Sequence, residues 1–378
     1  MINAKVIAGI AYIAIVTLSS IYIPQPLLPL LASEFHTEAQ SASLIISITL
    51  LPMAFAPLFY GYILENYQPK LILSLSLIMA GVFQILLIWS ENLIWFLGLR
   101  FVQSLFFPAI LTTLLTILAR MQGSLQLNVS IYIASTITGG LLGRMGGGAL
   151  TGIFSWQICF VVLGISLLLG SLLSHFFIIS GTHHLSKISF SQILPFLTRK
   201  QPLIILGSVF VMFFSFQAVL NTLPFHAKDI FPHITSSQIG RLYLGYSIGI
   251  VVSLLASSII QFLGGREKTI FIGFNLFALG LCMFLLDKLM WIYIGMFVMC
   301  AGSFITHSVL NALNNSLSAD NKGVLSGLYL SFYYTGGALG SFVSSFIFLF
   351  FGWNIFILII ACLLCSTSFI FYYHLRRK

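Results

Sequence analysis

The chain has 378 residues, 59% of them hydrophobic and only 7% charged, with a mean hydropathy of +1.05. A soluble domain carries about a quarter charged residues, so composition excludes a water-soluble globule and requires a chain embedded in a lipid bilayer. The formal net charge is +9, yet the bases fall mostly in short connections between apolar runs. There they set membrane orientation, and they do not form a nucleic-acid surface.

Apolar runs predict twelve transmembrane helices, at 6–31, 42–64, 71–89, 93–118, 127–154, 157–179, 203–227, 238–263, 269–286, 290–317, 324–351 and 354–373. Runs such as 203–216 show no period-2 alternation, which excludes a β-barrel. Most connections are short, as antiparallel helix neighbours require. The long one, 180–202, carries His183, His184, Lys187, Arg199 and Lys200, and its segment 188–197 has the spacing of a helix lying on the membrane surface. The expected domains are therefore an N-terminal six-helix bundle (1–179), a cytoplasmic linker (180–202) and a C-terminal six-helix bundle (203–378). Lys5 precedes a long apolar run with no cleavage site after it, so a cleavable signal is not expected. With the N-terminus inside, Lys5, Lys70, Arg120, Lys187, Arg199, Lys200, Arg266, Lys268, Lys322, Arg376, Arg377 and Lys378 lie on the inner side. Only Lys228, Lys288 and Arg241 are left outside. Both termini are then cytoplasmic.

The first span holds Tyr22, Pro24, Gln25, Pro26 and Pro29 near its outer end. Prolines there break the hydrogen-bond ladder, which a membrane helix tolerates where its carbonyls face protein or water. Arg100 and Gln103 lie in the fourth span, Gln103 expected on the wall of the substrate cavity and Arg100 about 12 Å in from the outer end at about 1.5 Å per residue. In the fifth span Gly139, Gly143 and Gly147 recur every fourth residue, a face on which another backbone can come close, and Arg144 stands beside them. An arginine inside a span is costly and marks a candidate functional group.

That stretch has an echo. Tyr132, Thr138, Gly139, Gly140, Gly143 and Trp156 recur as Tyr329, Thr335, Gly336, Gly337, Gly340 and Trp353, each pair separated by 197 positions, the difference between residue numbers 329 and 132. The chain reads as two copies of one half, the pattern of carriers whose substrate site lies between parallel repeats. The seventh span repeats the first, with Gln217, Asn221 and Pro224 in comparable places. In the tenth and eleventh spans, Asn311, Tyr329 and Tyr333 suggest an aromatic and amide wall suited to an amphipathic solute. The glycines 139, 143, 147, 336 and 340 are expected at the seams where the halves articulate. No carboxylate lies in mid-span, so His307 is the leading intramembrane proton carrier, with His226 and Asp229 near the outer mouth of the seventh span as the second option.

Three stretches resemble the major facilitator superfamily, in particular its drug/proton antiporter branch of sugar and multidrug exporters. Gly61 to Lys70 is similar to the family's loop between the second and third spans, keeping Gly61, the acid Glu65 and the base Lys70. Arg100-Phe101-Val102-Gln103-Ser104 resembles its fourth-span signature, with serine in place of glycine. Gly139-x3-Gly143-x3-Gly147-Gly148 resembles its fifth-span antiporter signature, with Arg144 in place of proline. The resemblance implies gating by Gly61, Glu65 and Lys70, a coupling role for Arg100, and export by antiport.

Enzymatic signatures are missing or out of context. There is no HExxH and no phosphate loop, and Gly245-Tyr246-Ser247-Ile248-Gly249 lies inside a span, away from any strand-to-helix turn. The five cysteines lie in apolar runs as small hydrophobes. The expectation is a monomeric secondary transporter of the bacterial inner membrane, without cofactor or metal, exporting a small amphipathic solute (a drug, sugar or siderophore-like metabolite) against protons by alternating access. An uncoupled facilitator or an importer of a small polar solute is the alternative.

Overall fold

A computed structural model describes residues 2–121, 125–177, 190–318 and 322–375. They form helices α1 (Ile2–Tyr22), α2 (Leu28–Glu34), α3 (Ala39–Asn66), α4 (Pro69–Leu86), α5 (Leu93–Ser104), α6 (Phe107–Arg120), α7 (Leu125–Ile153), α8 (Trp156–Ser174), α9 (Phe190–Thr198), α10 (Lys200–Ile230), α11 (Ser236–Leu242), α12 (Ile248–Leu254), α13 (Ala256–Leu263), α14 (Arg266–Met283), α15 (Leu289–Asn315) and α16 (Lys322–Leu375). No strand occurs among the described residues. Among them nine helical segments are long and apolar enough to cross a bilayer, and a bent pair makes a tenth. One of the nine, α16, breaks at Gly352 (φ 72°, ψ 173°), where the sequence places the boundary between its last two spans. Of the expected linker, 190–198 is helical, while Lys187 and the rest of 180–189 lie outside the described residues.

Three expected spans are interrupted. The first is broken between α1 and α2 by a 3-10 turn at Gln25–Leu27 that carries Pro26. The fourth is split into α5 and α6, with Pro108 in the first turn of α6, where a missing N–H costs nothing. The eighth, expected as one helix, bends by 72° between α12 and α13 after a 3-10 stretch at Tyr243–Ser247. Gly245 and Gly249 weaken that helix, and the space that side chains would occupy is filled by Met296 and Phe304 of α15.

The chain divides into two compact units. The first comprises Met1–Lys187 with Thr235–Arg241, and the second Ile188–Ile234 with Leu242–Lys378. In the first unit α7 lies backbone to backbone on α1. A Cβ built at Gly139 would stand 2.5 Å from the carbonyl of Ile15, and one at Gly143 would stand 2.6 Å from that of Ser19, while Gly147 faces Ile23. Ser19 Oγ ties the seam by donating to Gly139 O at 3.0 Å. In the second unit Gly336 and Gly340 of α16 meet the carbonyls of Phe210 and Phe214 on α10. These partners lie 195 positions beyond Ile15 and Ser19, the difference between residue numbers 210 and 15. The duplication read in one helix therefore extends to the helix it packs on.

The glycines face backbone of their own units. Gly139, Gly143, Gly147, Gly336 and Gly340 seal helix pairs inside each unit, because a surface without side chains lets two backbones touch over several turns. Gly148, one residue past the seam, faces Ser236 and Gly240, which belong to the same unit. The outward surfaces are apolar, with Phe262, Ile94, Phe176 and Phe350 all strongly exposed, as contact with lipid requires.

The seam makes a direct test. Gly143→Ala has to displace the Ser19 backbone and costs about 1–3 kcal/mol. Gly146→Ala on the same helix has nothing within 4 Å and gains up to about 1 kcal/mol of helix propensity. Thermal unfolding of the purified protein in detergent separates them, and equal melting temperatures would refute the seam.

Candidate transport site

Pro24 has no N–H, so the carbonyl of Ser20, four residues earlier, loses its helical partner. Arg100 supplies the replacement. Its Nη2 donates to Ser20 O at 2.7 Å and to Ile21 O at 2.9 Å. Its Nε donates to Thr49 Oγ1 at 2.9 Å. Its Nη1 donates to Gln103 Oε1 at 2.6 Å and reaches Gln84 Oε1 at 3.4 Å. All five guanidinium N–H groups are thus engaged, on four helices, and the side chain is fully buried. Gln103, expected on a cavity wall, is also fully buried and closes this node by donating to Ala80 O and Gln84 Oε1. Among the described residues Arg100 touches no carboxylate. Its charge is held by carbonyl, amide and hydroxyl dipoles.

Arg144 finishes the other side of the same break. Its Nε donates to Gln25 Oε1 at 2.7 Å, its Nη1 to Gly140 O at 2.8 Å, and its Cζ sits 4.0 Å from the ring centroid of Tyr22. A cation over a ring face in a dry site is favourable by about 2 kcal/mol. Arg144, Gln25 and Tyr22 are all buried. The spacing that makes the glycine seam also sets Arg144 against the broken turn, so three expected site residues meet.

In the second unit His307, Tyr329 and Tyr333 come together. Tyr329 Oη lies 2.9 Å from His307 Nδ1 and 3.1 Å from His307 O. The Tyr333 ring is 4.9 Å from the imidazole and stacks on Phe213 at 3.6 Å. Tyr329 is buried, while His307 and Tyr333 are half-buried. Asn311 bonds along its own helix, accepting from Asn315 at 3.2 Å, and makes no pair with the tyrosines. Asn221 is buried and donates to Ser341 O at 3.2 Å; Gln217 is buried on the same helix.

Lys70 Nζ donates to the carbonyl of His175, tying the start of α4 to the end of α8. Of Gly61 and Glu65, expected to gate with it and both within α3, the side-chain surroundings lie outside what is described. Reading by sequence missed Thr49 and Gln84, both fully buried. Their signal is faint: single polar residues in apolar runs, with a buried arginine in need of acceptors. His226, the second candidate for a proton carrier, lies with its Nε2 3.0 Å from Asp287 Oδ1 and its ring stacked on Trp353 at 3.9 Å; Asp287 as its partner was not read from the sequence. Among the described residues no group of three or more His, Cys, Asp or Glu could hold a metal.

Paired helical units, each with a glycine-faced helix sealed to its first helix, define a duplicated transport fold of the bilayer. The sequence profile of the Major Facilitator Superfamily matches residues 10–232 and 205–378, and the chain belongs to that family. It is a multi-pass membrane transporter. An uncharacterized transporter of Buchnera aphidicola subsp. Schizaphis graminum is 28% identical over 342 residues, 89% of this chain and 83% of that one. The inner membrane transport protein YnfM of Escherichia coli is 24% identical over 347 residues, 89% and 82% of the two chains. Among solved structures, a bacterial homologue of the human lysosomal transporter Spinster superposes with a TM-score of 0.80 at 13% identity, covering 99% of this chain and 97% of that one.

The Arg100 node makes the second test. Interhelical hydrogen bonds in membranes are worth about 0.6 kcal/mol each on average, so Arg100→Met, losing four between helices, costs about 2.4 kcal/mol on that figure. Arg100→Lys, with three donors on one point, falls between. Melting temperatures in the order wild type, Lys, Met are expected; a Met variant as stable as wild type would refute the node.

Proposed function

We propose that this transporter exports a small amphipathic solute across the bacterial inner membrane in exchange for protons, by alternating access, as a monomer with both termini in the cytoplasm. The observation that carries the reading is His307, a titratable side chain half-buried within α15, far from either end of that helix and hydrogen-bonded to Tyr329. A proton-coupled carrier needs such a group along its path, and imidazole has a ring nitrogen that can take up and release a proton. The fifth-span glycine run, seated on α1, supports export, since it resembles the antiporter signature. Tyr333 and Phe213 offer stacked ring faces beside His307, which suits a solute with apolar or ring surface. The name of the Escherichia coli relative supports the inner membrane.

One observation favours a second reading, an uncoupled facilitator or an importer of a small polar solute. The described carboxylates all sit in loops or at helix ends: Glu34, Glu38, Glu91, Asp229, Glu267 and Asp287. Coupling would then rest on a histidine without an acidic partner.

Substrates are found first by thermal stabilisation of the purified protein, since a ligand at about 100 times its Kd adds about 2.7 kcal/mol. Proteoliposomes under an imposed pH gradient then decide between the readings. Uphill flux of the hit should follow the gradient, and His307→Gln should abolish gradient-driven accumulation while counterflow survives. Flux indifferent to the gradient in the wild type supports the facilitator.

A further inference from the structure

The hydroxyl of Tyr329 has one proton and two neighbours, His307 Nδ1 at 2.9 Å and His307 O at 3.1 Å. A carbonyl oxygen only accepts. If the phenol gave its proton to Nδ1, its own lone pairs would face the carbonyl at 3.1 Å, two acceptors in contact in a low-dielectric interior, where such an arrangement is expensive. If the phenol instead donates to His307 O, the Nδ1 contact closes only when Nδ1 carries a hydrogen and donates to Oη. That second arrangement satisfies every atom of the triangle.

We infer that Tyr329 holds His307 in its Nδ1–H tautomer and thereby makes Nε2 the one atom of the imidazole that takes up and releases the coupling proton. The inference rests on the proton-coupled reading above. In the neutral ring Nε2 is a lone-pair acceptor; on protonation it becomes a donor. Nδ1 keeps its hydrogen and its bond to Tyr329 in both states, so the proton comes and goes without rearranging the phenol. Among the described residues Nε2 makes no hydrogen bond to protein, and His307 is only half-buried. Tyr329 is a positioning residue in this scheme: it chooses the nitrogen.

The surroundings leave the choice to Tyr329. From α16 the titratable groups facing His307 are Tyr329 and Tyr333, the latter through its ring. On α15 itself the next-turn neighbour is Asn311, and Ser308 turns to Ser253 of α12 at 3.4 Å. From α10, Phe213 stacks behind Tyr333. No charged side chain among the described residues makes a hydrogen bond or ion pair with His307. The charged residues of this unit, such as Lys200, Lys228, Asp229, Arg266, Glu267, Lys268, Asp287, Lys288 and Lys322, stand at helix ends or in loops.

Ring-15N-histidine labelling of the full-length protein in lipid, with the His307 signal identified by its loss in His307→Gln, tests the inference without any solute. The expected spectrum at neutral to alkaline pH has a protonated Nδ1 and an unprotonated Nε2, and only Nε2 changes type on acidification. Tyr329→Phe should shift His307 toward the Nε2–H tautomer or a mixture, whereas Tyr334→Phe should leave it unchanged. A wild-type His307 protonated on Nε2, or a tautomer indifferent to Tyr329→Phe, would overturn the proposal. Gradient-independent transport with the tautomer as expected would instead count against proton coupling alone.

Discussion

A missing hydrogen on Pro24 organises much of the first unit. It frees a carbonyl inside a membrane, where an unsatisfied polar group costs several kcal/mol. Arg100 answers it from another helix, and its remaining donors gather Thr49, Gln84 and Gln103. The arginine could not otherwise be buried, and α1 could not otherwise be broken. Each defect is tolerable because the other exists. The 3-10 turn that follows then presents Gln25 to Arg144, so one backbone interruption positions two cations.

The two units share this plan without sharing its chemistry. Both seat glycines four residues apart on the carbonyls of a first helix. At the place of Arg144 the second unit has Ser341, and at the place of Arg100 it has Phe297, by the same separation of 197 positions between residue numbers 144 and 341. The polarity of the second unit lies instead on α15 and α16, in the contact of His307 with Tyr329 and Tyr333. The first unit concentrates fixed charge, the second a titratable ring. This division suits a carrier in which one repeat is an electrostatic frame and the other handles exchangeable groups.

The helical membrane fold was plain from composition and from apolar runs, because a bilayer admits few architectures. The glycine repeat and the 197-residue echo were legible because both are matters of spacing. What spacing could not reveal was direction. The same glycines read as seams of articulation turn out to face α1 and α10 within their own units, since only coordinates say which backbone fills the groove. Gln103 reads as a wall residue, and its bond to Gln84, 19 residues away on another helix, is invisible to spacing. Eighth-span continuity failed for a similar reason: the 3-10 stretch holding Gly245 and the 72° bend at Leu255 carry no proline to announce them.

Contact between main chains has a mechanical corollary. Side-chain interfaces slide by changing rotamers, but the α1–α7 and α10–α16 seams contain almost none to change. Each pair is a stiff beam. The departures from straight helix lie outside these seams, in the 3-10 turns and the 72° elbow.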